Sequence, residues 1–197
     1  MIRVLAVAAL IVVVIGLYLA RSTARDALSD DRAGLLPYQK FARELPSSEQ
    51  HTFRALQQAL LAAERSRAST GLWPEPAAVV ANGVSDGAEQ FVTDADNHGL
   101  ASEWRLVQKG LFTNYLGVPA EPATPDWLVF IQEPDPNGAP DRAPNDEEHH
   151  RLPDGTVLHV SVWRRHLTSP VSGDLIVQPQ LTGWTEIVSV VPLSQRR

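Results

Sequence analysis

Cysteine is absent from the sequence, methionine occurs once, and aromatic residues make up only 7% of the 197 positions. The absence of cysteine excludes disulfides, a thiol nucleophile, a lipidated N-terminal cysteine and thiolate metal ligands. The sequence also has no G-x-S-x-G, no phosphate-binding glycine loop, no H-E-x-x-H and no dinucleotide fingerprint. We therefore expect a binding or structural protein, and we place an enzyme third among the classes considered.

Positive charge is scarce after the N-terminal segment. Three of the 17 Lys and Arg residues precede Asp26, whereas all 23 Asp and Glu residues lie at or beyond it. The net charge from Asp26 onward is therefore −9, compared with −6 for the whole chain. Binding to phosphates requires a concentrated positive field, so nucleic acid and anionic lipid surfaces are expected to be poor partners. Cations or basic protein surfaces fit this charge better.

The segment Val4–Ala20, VLAVAALIVVVIGLYLA, contains no charged residue. At about 1.5 Å per residue its seventeen residues are near the lower limit for crossing a bilayer core as a helix. The run exceeds the apolar core of a typical cleaved signal peptide, about 7–15 residues, and Ala20-Arg21-Ser22 is a poor cleavage pattern. The sequence thus predicts an uncleaved transmembrane anchor over residues 1–21, with a cleaved signal peptide as the alternative.

The charges around this segment bear on its orientation. Arg3 and the terminal amine favour a cytoplasmic N-terminus, whereas Arg21, Arg25 and Arg32 on the other side oppose it. Long domains are translocated largely regardless of such charges. We expect a single-pass protein of the bacterial inner (cytoplasmic) membrane, with a juxtamembrane linker and short helix over residues 22–45 and a periplasmic, extracytoplasmic domain over residues 46–197.

Helices are predicted before strands. Tyr38–Leu45 is expected to form a short helix after the linker. Ser47 followed by Gln50 has the capping-box pattern and predicts a longer helix that ends near Gly71. Three- and four-residue spacings give that helix one apolar face, formed by Phe53, Leu56, Leu60 and Ala63. A further short helix is expected from Trp73 to Gly83.

The second half of the chain alternates like a sheet. Strands are predicted on both sides of a turn near Lys109-Gly110, then at 127–132, 156–164, 175–178 and 184–191. In the segment 156–164 the residues Leu158, Val160 and Val162 share one face. Helices followed by strands with short connections predict an α+β fold. In this fold one long amphipathic helix and short helices pack on an antiparallel sheet of about five or six strands, after the N-terminal transmembrane helix.

Acidic residues and histidines adjoin a predicted hairpin over residues 145–159, NDEEHHRLPDGTVLH. If Leu152–Thr156 makes the turn, His159 lies opposite His149 or His150. Opposed side chains have Cβ atoms about 4.5–5.5 Å apart, so two imidazoles could share a zinc or copper ion, and alternation would place Glu147 beside His149. The candidate zinc ligands are therefore Glu147, His149, His150 and His159. The alternative is a solvated loop that binds no metal.

The segment Glu133–Glu148 holds six acids and one arginine. Long loops of this kind are usually functional or disordered, so we expect a membrane-protein partner to dock here. The candidate contact residues are Glu133, Asp135, Asp141, Asp146 and Glu148, together with Trp163 on the polar face of its strand. An EF-hand-like calcium loop from Glu133 to Pro144 is a weaker alternative, because proline stands where the bidentate glutamate is needed.

The five tryptophans also allow a binding-groove interpretation, although in a domain of this size they more often anchor the core. Trp163 differs from the others because its strand face is polar. It is expected either to pack under another layer or to belong to a contact surface.

The order of elements and the stretch Thr70-Gly71-Leu-Trp73-Pro74 resemble type IV pilins and pseudopilins, which often carry Gly-x-aromatic-Pro after a long N-terminal helix. This resemblance implies a structural subunit of a secretion or assembly apparatus, recognisable by one continuous helix from Val4 through Ser69 and a packed oligomer. The sequence departs from the family in lacking its processing site, and Ser22–Leu45 interrupts the helix. The other class is an anchored extracytoplasmic binding or accessory protein, recognisable by a cluster of Glu147, His149 or His150, and His159.

Overall fold

The computed structural model describes residues 34–79, 102–119, 123–138, 143, 145–166 and 173–189. Of these, residues 34–37 fall in a first compact unit and all the others in a second, Tyr38–Pro192. The predicted anchor over Val4–Ala20 lies outside the described ranges. Within those ranges no helix is long and apolar enough to cross a membrane.

The long helix, α1, runs from Ser47 to Thr70. Its prediction is confirmed in position and in the face it buries, since Phe53, Leu56, Leu60 and Ala63 all belong to the core. The start differs in detail from the predicted capping box: Pro46 occupies the cap position, and the Gln50 side chain donates a 2.9 Å hydrogen bond to the Leu45 carbonyl. The helix ends at Gly71, whose φ of 77° is one that glycine adopts without strain. Of the predicted Trp73–Gly83 helix, residues 76–79 are helical, residues 73–75 are not, and residues 80–83 lie outside the described ranges.

Among the described residues seven strands form one mixed sheet, so the fold combines α and β elements with more strands than the five or six expected. The strands are β1 (Gln39–Phe41), β2 (Ser102–Lys109), β3 (Phe112–Pro119), β4 (Asp126–Gln132), β5 (His149–Arg151), β6 (Val157–Arg165) and β7 (Thr185–Val188). Their order is β1-β7-β6-β4-β3-β2, and β5 also pairs with β6. All pairings are antiparallel except that of β1 with β7, which is parallel.

Two local predictions were wrong. Tyr38–Leu45 is not a helix: Gln39–Phe41 is strand β1 and Ala42–Glu44 is a single 3₁₀ turn. This segment joins the sheet because it pairs with β7, so the folded unit begins before residue 46. Leu175–Gln178 forms no strand. Instead Ile176 packs against the sheet surface, and its carbonyl accepts a 3.0 Å hydrogen bond from Asn114 Nδ2.

The sheet buries apolar side chains on both faces. The inner face packs against α1 and includes Leu158, Val160 and Val162, the three residues predicted to share a face. The outer face carries a second cluster formed by Leu116, Leu128, Phe130, Trp163 and Trp184, with Tyr38 and Ile176 packed against it. The sheet is therefore covered on two sides, and the described residues that pack on the outer cluster include Tyr38, just before β1, and Ile176, in the irregular segment before β7.

One edge of β6 is shared by two short strands. β5 pairs with residues Val157–His159, and β7 pairs with Val162–Arg164, on the edge opposite β4. Between them the Val160 N–H donates to the Glu148 carbonyl at 2.8 Å. The junction of β5 and β7 therefore lies at the middle of β6, directly beside α1.

Candidate functional site

A groove of about 540 Å³ lies between α1 and the shared edge of β6. One of its residues, Leu61, is 47% exposed although it is a large apolar side chain. This exposed side chain continues the apolar wall into solvent, so a ligand could cover it. The apolar residues that line the groove come from α1, β6 and β7 and are Phe53, Leu60, Leu61, Val160, Val162, Ile187 and Val188.

Three acidic residues line the same groove, namely Glu147, Glu148 and Glu186, although the pairing of Glu186 with Trp163 places its side chain on the outer face of the sheet. The Glu147 carboxylate accepts hydrogen bonds from the Ser189 N–H at 2.9 and 3.0 Å, and Gln57 Nε2 approaches it at 3.5 Å. Glu147 thus ties the bend before β5 to the end of β7 and to α1. The groove therefore combines apolar walls with acidic residues.

Glu186 is the most buried of the three carboxylates, with 7% of its surface exposed. Burial raises the pKa of Glu186 to about 7; the hydrogen bond from Gln39 acts against this rise, and repulsion by Glu148 and Glu147 adds to it. That bond joins Gln39 Nε2 to Glu186 Oε2 at 2.8 Å. Positive charge near Glu186 would offset this repulsion.

The candidate zinc ligands are divided between the two faces of the sheet. The predicted opposition of histidines is confirmed: His149 pairs with His159, and their ring centroids are 5.2 Å apart on the outer face. His150 points the other way, and its Nδ1 lies 2.5 Å from Glu64 Oε1 on α1. Glu147 also reaches toward α1, because residues 145–148 form a bend in which strand alternation does not apply. Among the described residues no group of three or more His, Cys, Asp or Glu could hold a metal ion.

Asp146, predicted as a partner contact, organises the start of β5. Its Oδ1 accepts hydrogen bonds from the N–H groups of Glu148 and His149, both at 2.9 Å, and lies 3.0 Å from His149 Nδ1. Burial by itself would raise the pKa of Asp146, but hydrogen bonds from the His149 ring and these two N–H groups hold it below its usual value. Asp146 therefore fixes the orientation of the His149 ring.

Glu133, another predicted contact, anchors the end of α1 to the end of β4. Arg67 donates to its two oxygens at 3.0 and 3.1 Å, and Trp73 Nε1 donates at 2.8 Å. Burial opposes ionisation of Glu133, but the hydrogen bonds from Arg67 and Trp73 lower its pKa overall. The carboxylate that the calcium hypothesis needs as its first ligand is thus engaged in fixing the fold.

The remaining predicted contacts differ in their surroundings. Asp135 closes a turn by accepting a 2.9 Å hydrogen bond from the Asn137 N–H. Asp141 lies outside the described residues, and Glu148 lines the groove. Trp163 takes the first of its two alternatives: it is only 6% exposed and stacks on Tyr38 at 5.8 Å between ring centroids.

Sequence reasoning missed two buried acids of this region, Glu64 and Glu186. Glu64 follows the buried Leu60 by four residues, a spacing that places both on one helix face. Glu186 alternates with the buried Trp184 and Val188 along β7, so a strict period of two would have placed it inside. In both cases the residue spacing indicated a buried position, but the charge of the side chain favoured an exposed assignment.

The feature that would mark a pilin-like subunit, a continuous helix through Ser69, is not found, because α1 begins only at Ser47 after β1 and a 3₁₀ turn. The stretch that carries the resemblance ends this helix: Gly71 is its left-handed cap, and Trp73 packs in the core. Comparison of the chain with protein-family models, curated proteins and solved structures finds no match.

Proposed function

We propose that this chain is a membrane-anchored extracytoplasmic binding or accessory protein, and that the groove beside α1 binds a short basic and apolar segment of a membrane-protein partner. The partner would belong to a transport or assembly complex. The uncharged segment Val4–Ala20 supports the anchor. The observation that carries the binding role is that apolar residues and three acidic residues line one groove.

The charges around the groove favour a cationic ligand. Arg54 also lines it and lies on the α1 side, where its Nη2 donates to Gln50 Oε1 at 3.3 Å. His150 lies close to Glu64, which balances any positive charge it carries. Three acidic residues and one arginine therefore line the groove, and the segment from Asp26 onward carries a net charge of −9. This field attracts basic segments and repels acidic ones.

The apolar residues that line the groove indicate that the ligand also carries apolar side chains. A volume of about 540 Å³ lies within the range of ligand pockets, about 300–1,000 Å³, and accommodates a few side chains. Leu61 and the groove-lining residues of β6 and β7 offer contact to aliphatic groups. A peptide with alternating lysine and leucine satisfies both requirements, because its two kinds of side chain point to opposite sides when it is extended.

Fluorescence anisotropy with dye-labelled peptides tests this proposal on the full-length chain in nonionic detergent. We expect an alternating Lys-Leu peptide to bind with an affinity that falls as salt rises, and an alternating Glu-Leu peptide to bind at least tenfold more weakly. Leu61→Asp and Glu148→Gln should each weaken Lys-Leu binding at least threefold. Leu181→Asp and Glu103→Gln are the matched controls, because both residues are exposed and do not line the groove. Equal affinity for the two peptides, or equal losses in groove and control variants, would refute the proposal.

A further inference from the structure

The outer face of the β5–β6 hairpin carries a pair of histidines that the proposed binding role does not use. His149 and His159 are directly opposed, with ring centroids 5.2 Å apart and ring planes inclined by 65°. A zinc or copper ion bound to an imidazole nitrogen at about 2.0–2.1 Å lies about 3.2 Å from the ring centroid. Two such rings at a tetrahedral angle have centroids about 5.2 Å apart. The observed separation is therefore compatible with a shared ion.

The His149 ring is also held in an orientation suited to a metal ligand. Its Nδ1 lies 3.0 Å from Asp146 Oδ1, which leaves Nε2 as the ligand atom. A carboxylate on the far nitrogen of a metal-binding histidine fixes the ring and increases its basicity. Asp146 is itself fixed, because its oxygen accepts two backbone N–H groups at 2.9 Å.

We propose that His149 and His159 form a two-histidine site for a divalent late transition-metal ion, with Asp146 as a positioning residue. The other two histidine-hairpin candidates, Glu147 and His150, take no part because they point toward α1. Two imidazoles leave coordination positions for solvent, so the ion is exchangeable. Imidazole sites follow the order in which Cu(II) binds more tightly than Zn(II), and we expect that order here.

Titration of the full-length chain with Cu(II) alone, against glycine as a competing chelator, tests the site. We expect one ion to bind per chain at this site, and His149→Ala or His159→Ala to weaken binding at least tenfold. His51→Ala is the matched control, because His51 lies exposed on α1 and its loss should leave the affinity unchanged. Circular dichroism of each variant establishes that the fold is retained.

The Asp146→Asn variant tests whether Asp146 positions the His149 ring for metal binding. The asparagine oxygen can still accept hydrogen bonds from the two backbone N–H groups, so the turn is kept while the negative charge of Asp146 beside the His149 ring is lost. We expect a 10- to 100-fold loss of Cu(II) affinity, as is typical when such a carboxylate is replaced. Unchanged Cu(II) affinity in His159→Ala, or an equal loss in His51→Ala, would overturn the proposal. Glu148→Gln should leave metal affinity unaltered, which separates this site from the groove.

Discussion

Replacement of Glu186 by glutamine should stabilise the protein, and the gain should grow with pH. Glu186 is buried beside two other carboxylates, and these surroundings raise its pKa to about 7. A glutamine at this position can still accept the hydrogen bond from Gln39 Nε2 that Glu186 accepts at 2.8 Å. It removes the charge that burial and the neighbouring Glu147 and Glu148 disfavour. The substitution therefore retains the hydrogen bond with Gln39 and removes the unfavourable burial of a negative charge.

The size of the effect follows from the pKa. A rise from the ordinary value of 4.5 to about 7 corresponds to about 3 kcal/mol, because each tenfold change in proton affinity is worth about 1.4 kcal/mol. The folded state binds the Glu186 proton more tightly than the unfolded state does. The wild-type free energy of unfolding therefore loses this contribution as the pH rises from 4.5 to about 7, and the loss is complete above that range.

Urea unfolding of the full-length chain in nonionic detergent, followed by tryptophan fluorescence, measures the effect. Trp163 lies opposite Glu186 across the β6–β7 pair and reports on this region. The Glu186→Gln variant should exceed the wild type by up to about 3 kcal/mol at pH 8, with the difference shrinking toward zero near pH 4. A difference that stays constant with pH, or one that grows as the pH falls, would show that the pKa reasoning is wrong.

Other predictions follow from the structure, and each is checked by the same unfolding measurement. Glu133→Gln should act in the opposite direction, because the pKa of Glu133 is lowered in the folded state. The variant should be less stable than the wild type by roughly 1–2 kcal/mol at neutral pH, and this difference should fade as the pH falls through the lowered pKa. Gly117→Ala should cost roughly 1–3 kcal/mol, because its Cβ would lie 2.6 Å from Trp104 Cζ2; Gly117→Ala with Trp104→Leu should recover much of that loss. Leu60→Ala should cost about 2–5 kcal/mol as a core truncation, whereas Leu61→Ala should cost under 1 kcal/mol.

The parts of the fold that could be predicted from the sequence depend on local patterns. The face of α1 and the alternation of β6 follow from periodicity, and the opposition of His149 and His159 follows from the hairpin turn. The turn itself is tight: the Leu152 N–H donates to the Thr156 carbonyl at 2.8 Å, and Gly155 has a φ of 90°. These features need no information from distant parts of the chain.

The parts that were missed depend on distant contacts. Gln39–Phe41 has no strand pattern of its own and becomes β1 only because β7 lies beside it. The polar face of β6 is covered at Trp163 by Tyr38, more than a hundred residues away in sequence. The bend at residues 145–148 turned Glu147 away from His149, which strand alternation alone could not anticipate. The groove consequently joins residues that no local pattern connects.

The parallel pairing of β1 with β7 constrains when the molecule can finish folding. The side chains of Gln39 and Glu186 meet although 147 positions separate them along the chain. Contacts of such separation carry a high loop-closure cost and form late. During synthesis β1 emerges early, but its partner β7, the last strand of the described residues, emerges much later. A chain cut short before Thr185 would therefore lack both the partner of its first strand and one wall of the groove.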